Sequence, residues 1–186
     1  MENLVFNEGY NKEKNWIITE KIFDNRYLGK CEALFTQGNG YLGVRNSLDE
    51  KYVGERRNTF VTGTFNKASD EEVTELPNFP DVTNIEITIN GKRLNLNYGQ
   101  VKNYNRSINL KNGEVTRSFI WCGENGLETK FIFKRFVSLE NEHLVASSLD
   151  IKSNQNIDLV ITTGVDGAVT NSGAQHFTNI ERRIYE

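Results

Sequence analysis

Proline, cysteine and histidine each occur only twice in this 186-residue sequence, and each scarcity excludes something. Cys31 and Cys122 are too few for the disulfide framework of a small secreted domain, so a reducing, cytoplasmic setting is the expectation. His143 and His176 lie far apart, with no Cys or carboxylate at ligand spacing, which argues against a bound metal. No run approaches the roughly 20 apolar residues of a membrane span, and residues 1–10 lack the apolar centre of a signal peptide. Charge is not gathered into blocks either. The 22 basic and 25 acidic side chains are interleaved and sum to −3, which leaves no footprint for nucleic acid.

What is present suits one folded domain over residues 1–186. Apolar residues make up 37% and aromatics 11%, enough for a single sizeable core. Gly and Asn punctuate short segments rich in Val, Ile, Thr, Phe and Tyr, which is the texture of many strands; helix has little claim. In residues 84–96, Ile85, Ile87 and Ile89 alternate with Glu86 and Thr88 before Asn90-Gly91, a pair suited to a type I′ hairpin turn. Asn112-Gly113 and Asn125-Gly126 repeat the device, and together they predict a meander. Within 127–137, Leu127, Thr129, Phe131, Phe133 and Val137 share one face, while Glu128, Lys130 and Lys134 share the other. Further strands are expected at 16–23, 41–45, 59–65, 143–151, 157–163 and 178–185, an all-β, antiparallel pattern of about nine or ten strands. The longest stretch without a strand signal, 66–81, is acidic, holds both prolines and is expected to form a surface loop.

The most distinctive segment is 32–45, where Gly38, Gly40 and Gly43 surround aromatic and aliphatic residues. A phosphate cradle is excluded, because no following helix and no lysine-hydroxyl pair accompanies the glycines. A tight turn at 38–40 is the physical alternative, with Gly43 allowing a neighbouring group to come close. This segment resembles the N-terminal domain of glycoside hydrolase family 65, the family of maltose, trehalose and kojibiose phosphorylases. The likeness continues in order through residues 63–66, Leu76-Pro77-Asn78, Tyr104-Asn105-Arg106, residues 135–139, His143-Leu144 and Asp166-Gly167.

The resemblance implies a two-sheet super-sandwich of the galactose-mutarotase-like type, here incomplete at its C-terminal end, which would leave an unpaired edge. It also implies a larger enzyme, commonly a homodimer, in which this domain packs against a catalytic (α/α)6 barrel. Such enzymes cleave an α-glucosyl disaccharide with inorganic phosphate and inversion, giving β-glucose 1-phosphate; a few hydrolyse instead. In that scheme a carboxylic acid protonates the leaving oxygen and phosphate stands where an activated water would attack. The family's catalytic Glu belongs to the barrel, and no position here matches it. The expectation is therefore a scaffold domain with no catalytic residue, no cofactor and no metal; a free-standing carbohydrate-binding module for α-glucans is the alternative.

Individual residues invite sharper readings that the sequence does not favour. Trp16 and Trp121 could stack on sugars, but both sit in strand patterns that assign them to the core. Glu71, Glu72 and Glu75 could supply an acid and a base, yet a solvated loop cannot tune their pKa values. Cys31 lacks a partnering base and reads as a buried thiol. Arg45, Arg106 and Arg135, in or beside strands, are expected to pair with buried carboxylates or reach a neighbouring domain. The loop tip of Leu76, Pro77, Asn78, Phe79 and Pro80 is the candidate contact with the barrel or a second subunit.

Overall fold

A computed structural model describes residues 4–6 and 16–171, apart from 68 and 72. The strand expected at 178–185 and His176 lie outside the described residues. Twelve strands and one α-helix are formed by the described residues. The largest sheet has six antiparallel strands: β1 (Leu4–Phe6), β2 (Ile17–Glu20), β8 (Gln100–Asn109), β9 (Glu114–Cys122), β10 (Glu128–Val137) and β11 (Val145–Ser153), adjacent in that order. The last four form the expected meander. Its turns follow the chemistry of their Asn-Gly pairs: Asn125 and Gly126 both take positive φ (54° and 74°), whereas at 112–113 only Gly113 does so (72°). A β-bulge between Lys102 and Asn105, with Asn103 at φ 53°, bends β8.

A second sheet, β12 (Leu159–Thr163) beside β6 (Ile85–Ile89) and β7 (Lys92–Arg93), packs on the apolar face of the first. Asn90 and Gly91, at φ 49° and 76°, close the β6–β7 hairpin as predicted. Ile87 and Ile89 of β6 meet Phe119, Phe131 and Phe133, whose rings stack with centroids 5.3 to 6.2 Å apart. This is the expected all-β sandwich. A third sheet of β3 (Gln37–Gly38), β4 (Leu42–Val44) and β5 (Thr59–Val61) abuts the Val137 end of β10.

Three expectations are corrected. Residues 25–27 form a 3-10 turn that leads into a helix, α1 (Leu28–Leu34), where none was expected. Leu28, Cys31, Glu32 and Phe35 follow helical spacing and are all buried, but one of the four is an acid, which masks the apolar stripe. Phe35 and Cys31 pack on Ile108 and Val115, so α1 covers the sandwich face that the second sheet leaves open. Trp16 is 50% exposed and is no core residue, because it stands just before β2 begins at Ile17; Trp121, by contrast, packs against the main cluster. Finally, the space beside Gly43 is open, so no close approach requires a glycine there; Gly38 is the tight position, its missing Cβ lying only 3.1 Å from the Leu42 carbonyl oxygen.

Candidate functional site

The inward face of β8, β9 and β10 carries three arginines at positions that strand alternation would reserve for apolar residues. Arg106 pairs with Glu20 of β2 on one side and Arg117 of β9 on the other, and Arg117 in turn pairs with Phe133 of β10. Arg135 follows two residues further along β10. All three are 2–3% exposed. Charges so far from water are tolerated only when paired and hydrogen-bonded, and the irregular segment 45–58 supplies the partners.

Arg117 grips Glu50 with a two-pronged fork, 2.8 Å from Nη1 to Oε1 and 2.5 Å from Nη2 to Oε2, and also reaches Asp49 at 3.1 Å. Arg135 donates to the other Asp49 oxygen at 2.6 Å and to the Ser47 carbonyl at 3.2 Å. Arg106 donates to the backbone carbonyl and side chain of Asn46, and its Nη1 lies 3.7 Å from Glu20. The guanidinium faces left over rest on rings: Arg117 lies 4.3 Å from the Phe133 centroid and Arg106 lies 4.8 Å from Phe35.

The segment that brings these carboxylates has no regular structure, so its backbone groups are satisfied by side chains. Arg57 donates to the carbonyls of Leu48, Asp49 and Glu50 as well as to Asp81. Glu55 accepts from the backbone N–H of Leu48 at 2.6 Å and of Tyr52 at 3.2 Å. The Tyr52 hydroxyl donates to Glu50 at 2.8 Å and accepts from Leu96 at 3.1 Å. Glu32 of α1 accepts from Arg45 at 3.1 Å and from the Arg56 N–H at 3.0 Å, which ties the helix to the same segment.

This arrangement holds charge. Burial by itself would raise the Asp49 carboxyl, but Arg135 and Arg117 outweigh it and hold Asp49 below its ordinary range. Burial would lower Arg117, and Glu50 and Asp49 reverse that and raise it. Neither group has a proton to exchange near neutrality. Burial, reinforced by the Glu20 carboxylate that accepts from the thiol at 3.2 Å, pushes Cys31 up to about 12, so it is an inert buried thiol as expected.

Of the residues singled out from sequence, Arg45, Arg106 and Arg135 do pair with buried carboxylates. Arg117, the centre of the network, was missed, although Val115, Arg117, Phe119 and Trp121 alternate along one strand and place it on the apolar face. Asp49 and Glu50 were missed too. The glycine-rich turn is fixed by Asn39, whose Oδ1 accepts from the N–H groups of Tyr41 and Leu42 and whose Nδ2 donates to Ser138 and Glu142 carbonyls. At the proline loop, Leu76 is 52% exposed, but Pro77 and Asn78 are buried in this domain itself. Asn78 accepts from Thr59 N–H and donates to the Arg57 and Thr170 carbonyls. Only the start of that tip therefore offers apolar surface outward. Glu71 is exposed and Glu75 accepts from Asn171, while Glu72 is outside the described residues. Among the described residues no cluster of His, Cys, Asp and Glu could hold a metal, and no helix is long and apolar enough to cross a membrane.

Known proteins resemble this chain along nearly its whole length. A family model described as glycosyl hydrolase family 65, N-terminal domain, matches residues 18–186. The chain is 43% identical over 182 residues to a kojibiose phosphorylase of Halothermothrix orenii, covering 97% of this chain and 23% of that protein. It is 33% identical over 169 residues to a kojibiose phosphorylase of Escherichia coli, covering 90% of this chain and 22% of the relative. It thus spans less than a quarter of the curated relatives' length. A solved structure of a candidate kojibiose phosphorylase from the human microbiome superposes with a TM-score of 0.76 at 21% identity, over 83% of this chain and 22% of that one, and shares the fold.

Two outcomes test the network. Arg117→Ala leaves Glu50 without its cation and Asp49 with Arg135 alone, and is expected to cost about 3–5 kcal/mol in urea unfolding. The second concerns acid. Asp49 has a folded pKa below its ordinary 3.8, so its contribution is complete above that value and is lost as pH falls through the folded pKa. Glu55, which burial pushes above its ordinary value, acts in the opposite direction and favours the fold at lower pH. The urea midpoint of the natural protein is expected to fall as pH drops below about 4, and to fall less steeply in Asp49→Asn.

Proposed function

Because this chain belongs to the glycosyl hydrolase family 65 N-terminal domain family, we propose that it is the scaffold domain of an enzyme that phosphorolyses an α-glucosyl disaccharide with inversion. The products are β-glucose 1-phosphate and a free sugar. One observation carries this reading: 43% identity to a kojibiose phosphorylase extends over 97% of the chain, which makes kojibiose the first substrate to try. The buried ion network supports the scaffold role, since Arg135 and Arg117 hold Asp49 ionised and Glu50, Glu32 and Glu20 each lie against an arginine.

The partner of the domain is the enzyme's own (α/α)6 barrel, and the whole works in the cytoplasm as a homodimer. The barrel supplies the acid that protonates the leaving oxygen, and phosphate attacks from the opposite face. Leu76 contributes to a barrel or subunit contact: it is 52% exposed, and the anchored Pro77 and Asn78 beside it hold it rigid. Phe79 and Pro80, both half-buried, continue the loop, and the Phe79 N–H donates to the Thr59 carbonyl.

The full-length protein incubated with phosphate and kojibiose, maltose or trehalose is expected to release β-glucose 1-phosphate, while residues 1–186 alone release none. Absence of sugar phosphate with every α-glucoside, or turnover by the isolated chain, overturns the assignment. Separately, Leu76→Asp in the full-length protein is expected to weaken dimerisation in sedimentation velocity or to raise KM, without altering the fold by circular dichroism. If both stay unchanged, Leu76 belongs to no interface.

A further inference from the structure

One cleft of the described residues lies not at the ion network but at the end of the sandwich where the hairpin turns gather. It encloses about 680 Å³ between the β6–β7 turn, the connection from Asn95 to Gly99, and the β9–β10 turn. Two aromatic rings line it. Trp121 closes the apolar core from the inside, and Tyr98 stands beside it with 75% of its surface exposed.

The indole is held in one place. Its Nε1 donates to the Tyr98 carbonyl at 3.4 Å, and glycines flank its edges. A Cβ on Gly99 would come within 3.3 Å of Nε1, and one on Gly123 within 2.9 Å of Cζ3. Gly99 has φ 89°, a conformation that side chains rarely adopt, so the backbone at Tyr98–Gly99 is committed to this geometry. Placing a tyrosine ring in solvent next to a fixed indole brings no core packing, since large aromatics ordinarily stabilise by burial. Around the rings lie the amides of Asn90, Asn95, Gln100 and Gln155; Asn90 and Asn95 each accept from a backbone N–H and Gln155 donates to the Asn125 carbonyl, and each amide has further donor or acceptor capacity. The charges are already neutralised, Lys92 by Glu124 at 2.5 Å and Arg93 by Glu86 at 2.9 Å.

Aromatic faces flanked by bidirectional hydrogen-bonding groups, without net charge to spare, match a neutral pyranose. The apolar C–H face of the sugar lies on a ring while its hydroxyls bond to amides. Phosphate or a sugar phosphate would find both basic side chains occupied. We propose that the Tyr98–Trp121 cleft is a binding site for a neutral oligosaccharide; the choice of α-linked glucose units rests on the proposed function above.

Calorimetric titration of the full-length protein with maltotetraose tests this. Tyr98→Ala is expected to weaken the binding by about tenfold, and Tyr98→Phe, which keeps the ring, to retain it. Position 98 is exposed, so both variants are expected to keep the urea midpoint of the natural protein. No measurable binding, or binding indifferent to Tyr98→Ala, overturns the site. Phosphorolysis measured in the same preparations keeps the two readings apart: its absence would sink the enzymatic assignment, whereas intact phosphorolysis with no effect at Tyr98 would sink the cleft alone.

Discussion

The fold depends on a row of arginines laid across the inside of its main sheet. Arg106, Arg117 and Arg135 occupy places that apolar side chains would fill at lower cost, and each is out of reach of water. Their charge becomes tolerable only when segment 45–58 lies over them with Asp49, Glu50 and the carbonyls of Asn46 and Ser47 in place. An apolar replacement would hold the layers together about as well. What the ions add is discrimination, because one residue of slippage between strands would turn the arginines to solvent and leave two carboxylates buried alone.

The network also explains how an irregular segment of this length can sit inside a β-sandwich. Ladder hydrogen bonds are unavailable to 45–58, so Arg57 and Glu55 take the role that a neighbouring strand would play. The helix α1 joins through Glu32, and the sheet of β3, β4 and β5 joins through Gln37, which donates to the Arg135 carbonyl at 2.9 Å. Elements distant in the chain are thus fixed to one another through polar side chains at one end of the sandwich. Stacked phenylalanines and isoleucines do the corresponding work at the other.

Period-two alternation made the meander readable. Leu127, Thr129, Phe131 and Phe133 point inward as their spacing predicts, and the Asn-Gly pairs at 90–91 and 125–126 mark turns that need positive φ. The first half of β8 was less legible because its bulge at 102–105 breaks the alternation. Helix α1 escaped notice because Glu32 occupies its buried stripe, and Trp16 was assigned inward because pattern does not reveal at which residue a strand begins. At the functional level the family likeness was carried by glycines, asparagines and arginines, residues whose geometry is demanding. Arg117 shows the limit, since hydropathy patterning treats any charge as a solvent marker even when a fork of carboxylate awaits it.

The order of residues by itself determined an all-β chain with its hairpin turns, its aromatic face and its kinship with a family of phosphorylases, because backbone preferences and side-chain periodicity are local properties. Only the tertiary structure decided which charges are buried, which carboxylate meets which arginine, and that Tyr98 and Trp121 border a common cleft. Those outcomes depend on contacts between residues separated by 67 positions, as for Glu50 and Arg117, or by 23, as for Tyr98 and Trp121. No local rule reaches across such distances; closure of the sandwich brings the partners together and makes an unpaired charge too costly to leave behind.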